Sequence, residues 1–417
     1  MSEEISIKSK KTQRVKLAKH ESNFSMLLLP PFTTITLYQG NISYKYIYEQ
    51  VSLIIKKNQW LCGNLVKKKD SVFIEYAQNP DKQSINRCIK KEVDVGLRNN
   101  LTPFELNQLA SQHLVEMGRN SVNKEQAIFK VTVIENPQAS ENVFAIVVSM
   151  NHMVGDGATL YNVYGMMGNP KKIRSLEVNR FESFEIEKAH ILGSEEARVA
   201  ETTGFFLSLL KTTLFKRNPD ACMQYVNADW INNSKVQHST DKKFISTNDI
   251  LTSWLINSSQ AKCFLMDLDL RKRINGLHSD YAGNYNGYMF YYKEDVEGPI
   301  DVRKSLSNMR RNNFDIHLTP KNFSSMIYNW ANITNISTLY QDLQFPGCFQ
   351  LVHFPVGELK TVPFLDYVMV FCSTPNKIGL TCVSRSITPE AFDKDKFTQA
   401  MSFTPGNQFN GHKSVNQ

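Results

Sequence analysis

A histidine and a carboxylate, His152 and Asp156, stand four residues apart in the sequence NHMVGDG at residues 151–157. Imidazole has an ordinary pKa near 6.5, so at neutral pH it accepts a proton and can return it within one turnover. The two glycines, Gly155 and Gly157, allow a sharp bend or a close approach of the backbone to a ligand. This pattern therefore indicates a histidine that is offered as a general base in a cleft.

The flanking residues predict a strand before this histidine and a helix after it. Residues 145–148, together with Met150, form a short apolar run rich in β-branched side chains, which is typical of an interior strand. Helical spacing then relates the apolar residues Leu160, Val163, Tyr164 and Met167. We therefore predict that His152 lies in a strand-to-helix turn.

The histidine segment resembles the HxxxDG motif of the BAHD acyltransferases. These CoA-dependent enzymes belong to a larger group with chloramphenicol acetyltransferase and the condensation domains of peptide synthetases. Other segments resemble BAHD motifs in the same order along the chain. They are QWLCGNL at residues 59–65, which follows a predicted helix at 46–57, then IFKVTV at 128–133, STNDILT at 246–252, DLDLRKR at 267–273, and the pair Gly283 and Asn284. Five ordered matches argue against chance.

The sequence departs from the pattern of this group at two places. Near the C-terminus the BAHD family carries DFGWG, whereas the best match here is DLQFPG at residues 342–347. Condensation domains and wax-ester synthases have a first histidine where this chain has Asn151. The first difference leaves the substrate open, and the second favours the BAHD side of the group.

The resemblance implies an α/β fold with two chloramphenicol acetyltransferase-like lobes. Each lobe is expected to hold a mixed β-sheet with flanking helices, and the active site is expected at the lobe interface. At 417 residues the chain is long enough for two such bodies. We predict an N-terminal lobe at residues 1–200 with the HxxxDG motif, a crossover at 201–240 and a C-terminal lobe at 241–417.

The resemblance also suggests roles for individual residues. His152 is the expected base, and Gly157 and Asn284 are expected to support the site. Asp156 can orient His152, as in a serine hydrolase triad. In the family, however, this acid pairs with an arginine that matches Arg271, with Arg273 as a second choice. We favour that structural pairing, because a buried carboxylate needs a partner.

The expected activity is transfer of an acyl group from acyl-CoA to a hydroxyl or amine of a small molecule, as in specialised metabolism. The acyl-CoA is a cosubstrate, and no metal or permanently bound cofactor is expected. Two alternatives stay open, a non-catalytic binding protein with this fold and a condensation-type enzyme that uses a carrier-protein thioester.

Composition limits the other classes of function. The net charge is +8, but no helix-turn-helix, RNA-recognition or zinc-finger pattern accompanies it, so we expect no nucleic-acid partner. A modest positive field instead favours an acidic cosubstrate such as CoA. Seven cysteines without a CxxC pair predict neither a disulfide framework nor a zinc site. With no visible secretory signal, we expect the protein to lie in the cytoplasm. We also expect it to be a monomer.

Three further segments lead to predictions about burial. No apolar run is long enough to cross a bilayer. For GFFLSLLKTTLF at residues 204–215 we favour a buried element, and a helix lying in a membrane surface is the alternative. In the strand predicted around residues 264–270, Asp267 and Asp269 are expected to face outward. His353 lies in an apolar stretch and is expected to be a hydrogen-bonded core residue, with a place in the cleft as the alternative.

Overall fold

The computed structural model describes residues 12–138, 142–239, 244–313, 318–357 and 362–398. The chain divides into two compact units, and neither is continuous in sequence. The first unit is formed by Met1–Glu182, His278–Asn284 and Gln341–Gly357, and the second by Ser183–Leu277, Tyr285–Tyr340 and Glu358–Gln417. The lobe limits at residues 200 and 240 stay predictions.

The strands and helices of the described residues are numbered in chain order. The strands are β1 (Thr12–Lys16), β2 (Phe32–Gln39), β3 (Asn64–Lys68), β4 (Ser71–Ala77), β5 (Ile89–Val93), β6 (Phe129–Glu135), β7 (Val143–Met150), β8 (Asp220–Val226), β9 (Cys263–Asp269), β10 (Asn286–Tyr292), β11 (Trp330–Asn335), β12 (Phe349–Val356), β13 (Asp366–Thr374), β14 (Lys377–Ser384) and β15 (Phe397–Thr398). The helices are α1 (Phe24–Leu28), α2 (Tyr44–Lys57), α3 (Lys82–Cys88), α4 (Pro103–Ser111), α5 (Gly118–Ser121), α6 (Gly157–Met166), α7 (Phe184–Leu192), α8 (Thr203–Phe215), α9 (Ala228–His238), α10 (Thr247–Ser258) and α11 (Pro299–Asn308).

The first unit contains a mixed sheet with the strand order β12-β2-β7-β6-β5. Strand β5 runs parallel to β6, and the other neighbours are antiparallel. Every residue of β7 is buried, because its sequence VFAIVVSM supplies apolar side chains to both faces. This confirms the predicted interior strand before His152. Its neighbour β6 includes most of the family-like segment at residues 128–133. A smaller sheet of β1, β4 and β3 completes the strands described in this unit.

The second unit contains a mixed sheet with the order β10-β9-β11-β13-β14-β8-β15. Strand β11 lies parallel to both β9 and β13, and the remaining pairs are antiparallel. Helix α10 begins at the motif STNDILT, where Ser246 and Asp249 form a reciprocal capping box. Each unit therefore has a mixed sheet and helices, as the predicted α/β class requires.

Strand β9 corrects one expectation about its acidic residues. Asp269 is exposed as predicted, but Asp267 is only half-buried and does not face outward into solvent. Its carboxylate accepts hydrogen bonds from the Asn332 amide, at 3.1 Å, and from the Thr334 hydroxyl, both on the neighbouring strand β11. The alternation of apolar and acidic residues along β9 suggested one face toward solvent. Residues 263–266 are instead all buried, so both faces of this part of the strand are covered.

Helix α8 corrects a second expectation. It covers the apolar segment at residues 204–215, but it is not a buried element, since Leu214 and Phe215 are 64% and 80% exposed. Within the described ranges, no helix is long and apolar enough to cross a membrane.

Candidate active site

His152 opens a turn that directly follows β7 and precedes α6. The buried side chain of Asn151 holds the start of this turn. Its amide group donates to the Glu116 carbonyl at 2.8 Å and lies 3.1 Å from the Ser121 hydroxyl, and its carbonyl oxygen accepts from the Met153 backbone N–H at 2.9 Å. The predicted strand-to-helix position of His152 is therefore confirmed, and Asn151 has a structural role in it.

Asp156 is the N-cap of α6. Its Oδ1 accepts a hydrogen bond from the Thr159 backbone N–H at 2.9 Å and lies 3.1 Å from the Thr159 hydroxyl. The Asp156 residue is 1% exposed, and Gly157, the first residue of the helix, is buried. A side chain at Gly155 would place its Cβ 2.6 Å from Thr159 Cγ2, so glycine is required there for close packing. Its backbone does not adopt the positive φ of a sharp bend.

The second predicted segment, Gly283 and Asn284, meets this turn. The Gly283 carbonyl accepts from the Asp156 backbone N–H at 3.2 Å and lies 2.9 Å from the Thr159 hydroxyl. Gly283 has a φ of 144°, a conformation that favours glycine. This turn presents Asn284 to His152, so the structure brings together two residues that are 132 positions apart in sequence.

The side chain of Asn284 is oriented by two acceptors. Its Nδ2 donates to the His152 carbonyl at 2.9 Å and to Glu21 Oε1 at 3.2 Å. Its Oδ1 therefore faces His152 Nδ1, at 3.1 Å. Because an amide oxygen only accepts, Nδ1 of His152 must carry the proton in this arrangement, which assigns the lone pair of the neutral imidazole to Nε2.

Glu21 anchors Asn284, and no motif in the sequence indicates this role. Its Oε1 accepts from the Asn284 backbone N–H at 2.8 Å, and its Oε2 accepts from Arg180 Nε at 2.6 Å and from the Ala18 N–H at 2.9 Å. The two charged side chains are almost fully buried, 1% exposed for Glu21 and 6% for Arg180. Neither residue lies in a recognisable motif, so only the fold identifies this ion pair.

The electrostatic environment keeps His152 neutral. Burial lowers the pKa of His152 below its ordinary value, while its own backbone carbonyl, Asp156, Asn284 and Glu21 act in the opposite direction. The ring also packs edge-on against Phe32, with 6.3 Å between the ring centroids. An imidazole with a lowered pKa is deprotonated at neutral pH and can accept a proton there.

Arg271 lies in the second unit, just after β9. Its side chain is 2% exposed, its Nη1 lies 3.1 Å from Asp269 Oδ1, and its guanidinium stacks 4.9 Å from the centroid of the Tyr285 ring. Arg271 is thus a buried cation whose guanidinium is held in place by Asp269 and Tyr285. The pairing of Arg271 with Asp156 that the resemblance implies stays a prediction, as does the second choice, Arg273.

His353 is a core residue, as its apolar sequence neighbours suggested. It is fully buried on β12, with Nδ1 2.8 Å from the Thr36 hydroxyl and Nε2 2.8 Å from the Tyr161 hydroxyl. Burial lowers the pKa of His353 to about 3. Both ring nitrogens are therefore engaged in hydrogen bonds inside the first unit, and this histidine supports the fold.

The described residues include no group of three or more His, Cys, Asp or Glu side chains arranged to hold a metal ion. A CoA molecule needs cationic side chains for its phosphates. The net charge of +8 has the sign that favours such a ligand.

Comparison with known proteins finds similarity in structure alone. No family model and no curated protein matches this sequence. The first condensation domain of the CDA synthetase has a TM-score of 0.61 at 8% identity, over 93% of this chain and 93% of that one. TRI101 of F. sporotrichioides, complexed with coenzyme A and T-2, has a TM-score of 0.59 at 12% identity, over 91% and 96%.

TRI3 trichothecene 15-O-acetyltransferase from Fusarium sporotrichioides has a TM-score of 0.61 at 10% identity, over 92% of this chain and 93% of that one. These matches span nearly the whole chain and include an acetyltransferase, a protein complexed with coenzyme A and a condensation domain. The chain therefore has the chloramphenicol acetyltransferase-like fold that its motifs predicted.

Proposed function

We propose that this protein is an acyltransferase that moves an acyl group from an acyl-CoA thioester to a hydroxyl or amine of a small-molecule acceptor, with His152 as general base. The observation that carries the proposal is the chain of contacts from Glu21 through Asn284 to His152. This chain orients the imidazole and selects Nε2 as its basic atom. Burial keeps the same ring neutral at the pH where it would work.

The reaction needs one proton acceptor and no covalent enzyme intermediate. Nε2 of His152 removes the proton from the acceptor as its oxygen or nitrogen attacks the thioester carbonyl carbon. The tetrahedral oxyanion then collapses, the carbon–sulfur bond breaks, and the imidazolium returns the proton to the CoA thiolate. General-base assistance of this kind is worth roughly 10² to 10⁴ in rate, and positioning and oxyanion stabilisation supply the rest.

CoA as the donor carrier is supported by the structures that share the fold. TRI101 of F. sporotrichioides is complexed with coenzyme A and T-2, and TRI101 of F. graminearum with coenzyme A and deoxynivalenol. In each case the partner of CoA is a small molecule. We extend this arrangement to the present chain and propose that it binds an acyl-CoA together with a small-molecule acceptor.

A condensation-type reaction is the second candidate, because condensation domains share the fold equally well. Such an enzyme would take its acyl group from a carrier-protein thioester. Asn151 favours the first candidate, since it stands where condensation domains have a first histidine. Both polar atoms of its side chain are engaged in the hydrogen bonds that hold the turn.

Purified protein incubated with a panel of acyl-CoAs and a small-molecule cell extract tests the proposal. We expect release of free CoA thiol that depends on the extract, together with new products heavier by one acyl group in mass spectrometry. A boiled sample controls for background hydrolysis. Acyl transfer from a carrier-protein thioester but from no free acyl-CoA would contradict the CoA proposal and establish the condensation type. No transfer from either donor would contradict both.

A further inference from the structure

Helix α8 buries two hydroxyl side chains beside the core residue Phe205 and leaves much of its apolar surface exposed. Ser208 and Thr212 are at most 1% exposed, whereas Leu210, Leu214 and Phe215 are 51%, 64% and 80% exposed. The inward position of the hydroxyls is specific, since Ser208 donates to the Tyr328 carbonyl and Thr212 to the Ser208 carbonyl at 3.0 Å. A surface helix of a globular protein normally turns its apolar residues toward the core.

A short 3₁₀ turn beside α8 extends the apolar surface. In this turn, Asn322–Ile327, the side chains of Phe323 and Ile327 are 61% and 68% exposed. The helix and the turn enclose a groove of about 500 Å³, lined by Leu207, Leu210, Lys211, Leu214, Phe215, Met326 and Ile327. Exposed apolar groups that cluster in this way mark a surface that is covered in use. We call this surface the α8 face.

The charge beside the α8 face is positive. Residues 202–219 contain three basic residues, Lys211, Lys216 and Arg217, and no Asp or Glu. Lys211 is held at the groove, where its Nζ donates to the Met326 carbonyl at 3.1 Å. Arg217 lies 3.1 Å from Asp220 and remains 61% exposed. Lys216 is exposed at the end of the helix, next to Phe215.

We propose that the α8 face binds the surface of a lipid bilayer that contains anionic lipids. Leu214, Phe215 and Ile327 enter the boundary between headgroups and acyl chains, and Lys216 and Arg217 contact the lipid phosphates and carboxylates. Apolar side chains at an exposed helix end with cations beside them are the features that bind a protein peripherally to such a surface. This inference goes beyond the proposed acyl transfer and does not depend on it.

A second copy of the chain fits this face less well. In a two-fold symmetric pair the same patch would meet itself. Lys216 and Arg217 of one copy would then approach the same cations of the other, in a region without acidic residues between positions 202 and 219. Anionic headgroups satisfy these charges instead, because their sign is opposite.

Co-sedimentation of the full chain with vesicles tests the proposal. One set of vesicles is phosphatidylcholine alone, and the other contains roughly one third phosphatidylserine. We expect the protein to bind the anionic vesicles at least about tenfold more strongly, and Lys216→Gln to weaken that binding about fivefold. Leu214→Glu combined with Phe215→Glu should weaken it by at least about tenfold. Val236→Glu is the matched control, since Val236 is 80% exposed on α9 of the same unit.

Circular dichroism and the melting temperature establish that each variant is folded before binding is compared. Wild-type protein that stays in the supernatant with both sets of vesicles would overturn the proposal. Equal loss of binding in Val236→Glu would also overturn it, because the effect would then not belong to the α8 face. A wild-type dimer that becomes monomeric in the double variant, with no change in vesicle binding, would assign this face to a second copy instead.

Discussion

At the scale of single residues, Asn284 decides which nitrogen of His152 is the base. A neutral imidazole has two tautomers of similar stability, and only one of them leaves Nε2 unprotonated. Asn284 selects it because both hydrogens of its amide are directed to the His152 carbonyl and to Glu21. The role that the resemblance gave to Asn284 only in general terms therefore has a specific physical content, which is to orient the proposed base.

Glu21→Gln should destabilise the protein markedly. The change removes the charge that pairs with buried Arg180 at 2.6 Å, and breaking a buried pair commonly costs about 3 to 5 kcal/mol. Urea denaturation measures the change in the free energy of unfolding. Glu49→Gln is the control, since it breaks only an exposed pair with Lys45, where less than about 1 kcal/mol is expected. An equal change in the free energy of unfolding in the two variants would show that the Glu21–Arg180 pair does not stabilise the site.

The pH dependence of the reaction should reflect the lowered pKa of His152. As the pH falls through that pKa, Nε2 becomes protonated and the base is lost, whereas above it the rate is unaffected by this group. We therefore expect the acidic limb of kcat/KM to be centred below about 6.5, the ordinary value for histidine. A rate profile across this range, with buffers of constant ionic strength, measures the midpoint. A limb centred clearly above 6.5 would contradict the neutral, buried imidazole.

At the scale of secondary-structure elements, the start of helix α6 positions the proposed base. Asp156 caps the helix through Thr159, and Thr159 also contacts the Gly283 carbonyl that precedes Asn284. A single buried carboxylate thereby fixes both the turn with His152 and the turn with Asn284. Local spacing predicts the helix, but neither the capping role of Asp156 nor this contact between two distant turns.

Comparison of Asp156→Asn with Asp156→Ala separates capping from charge pairing. Asparagine caps a helix about as well as aspartate, whereas alanine loses roughly 1 kcal/mol. If the predicted pairing with Arg271 exists, Asp156→Asn should still cost about 3 to 5 kcal/mol, because it breaks a pair between two buried charges. Chemical denaturation provides the free energies of unfolding. A nearly neutral Asp156→Asn would limit Asp156 to the cap and contradict the pairing.

Asp267 on β9 should make stability depend on pH. Burial raises the pKa of Asp267 to about 6, and hydrogen bonds from Thr334 and Asn332 oppose the rise. The folded state then binds more protons than the unfolded state between about pH 4 and 6, so the free energy of unfolding falls as the pH rises through this window.

Asp267→Asn should remove this dependence. Allowing for its half-buried position, we expect the variant to be about 1 to 2 kcal/mol more stable than wild type near pH 7.5 and no more stable near pH 4. Urea denaturation at the two pH values measures the difference. The exposed Asp269→Asn is not a suitable control, because Asp269 pairs with Arg271, so Asp229→Asn on α9 is used. A gain of equal size at both pH values would contradict the titration of Asp267.

The elements show what local sequence can and cannot predict. The burial of β7 and the helix that follows His152 were predicted correctly, since each depends on residues within one short segment. The outward positions predicted for Asp267 and the burial predicted for α8 were wrong. In both cases the neighbouring element decides the outcome, β11 for Asp267 and the turn Asn322–Ile327 for α8, and that neighbour is distant in sequence.

At the scale of the whole molecule, distant segments complete the first unit. Strand β12 pairs with β2 although more than three hundred residues separate them, with His353 opposite Thr36 in the register. The short segment His278–Asn284 also belongs to this unit and carries Asn284 to His152. Hydrophobic periodicity along the chain does not predict that these distant segments join the first unit. The ordered family-like motifs, in contrast, were sufficient to predict the fold that the structural comparisons confirm.

The rate of acyl transfer by His152→Ala tests the central proposal most directly. The variant is assayed with the acyl-CoA and acceptor that the wild-type protein uses, after its melting temperature has shown that it is folded. His190→Ala is the matched control, because that histidine is 72% exposed on α7. We predict that kcat falls by at least about 10² for His152→Ala and is unchanged for His190→Ala. Transfer by folded His152→Ala at the wild-type rate would contradict the assignment of His152 as the base.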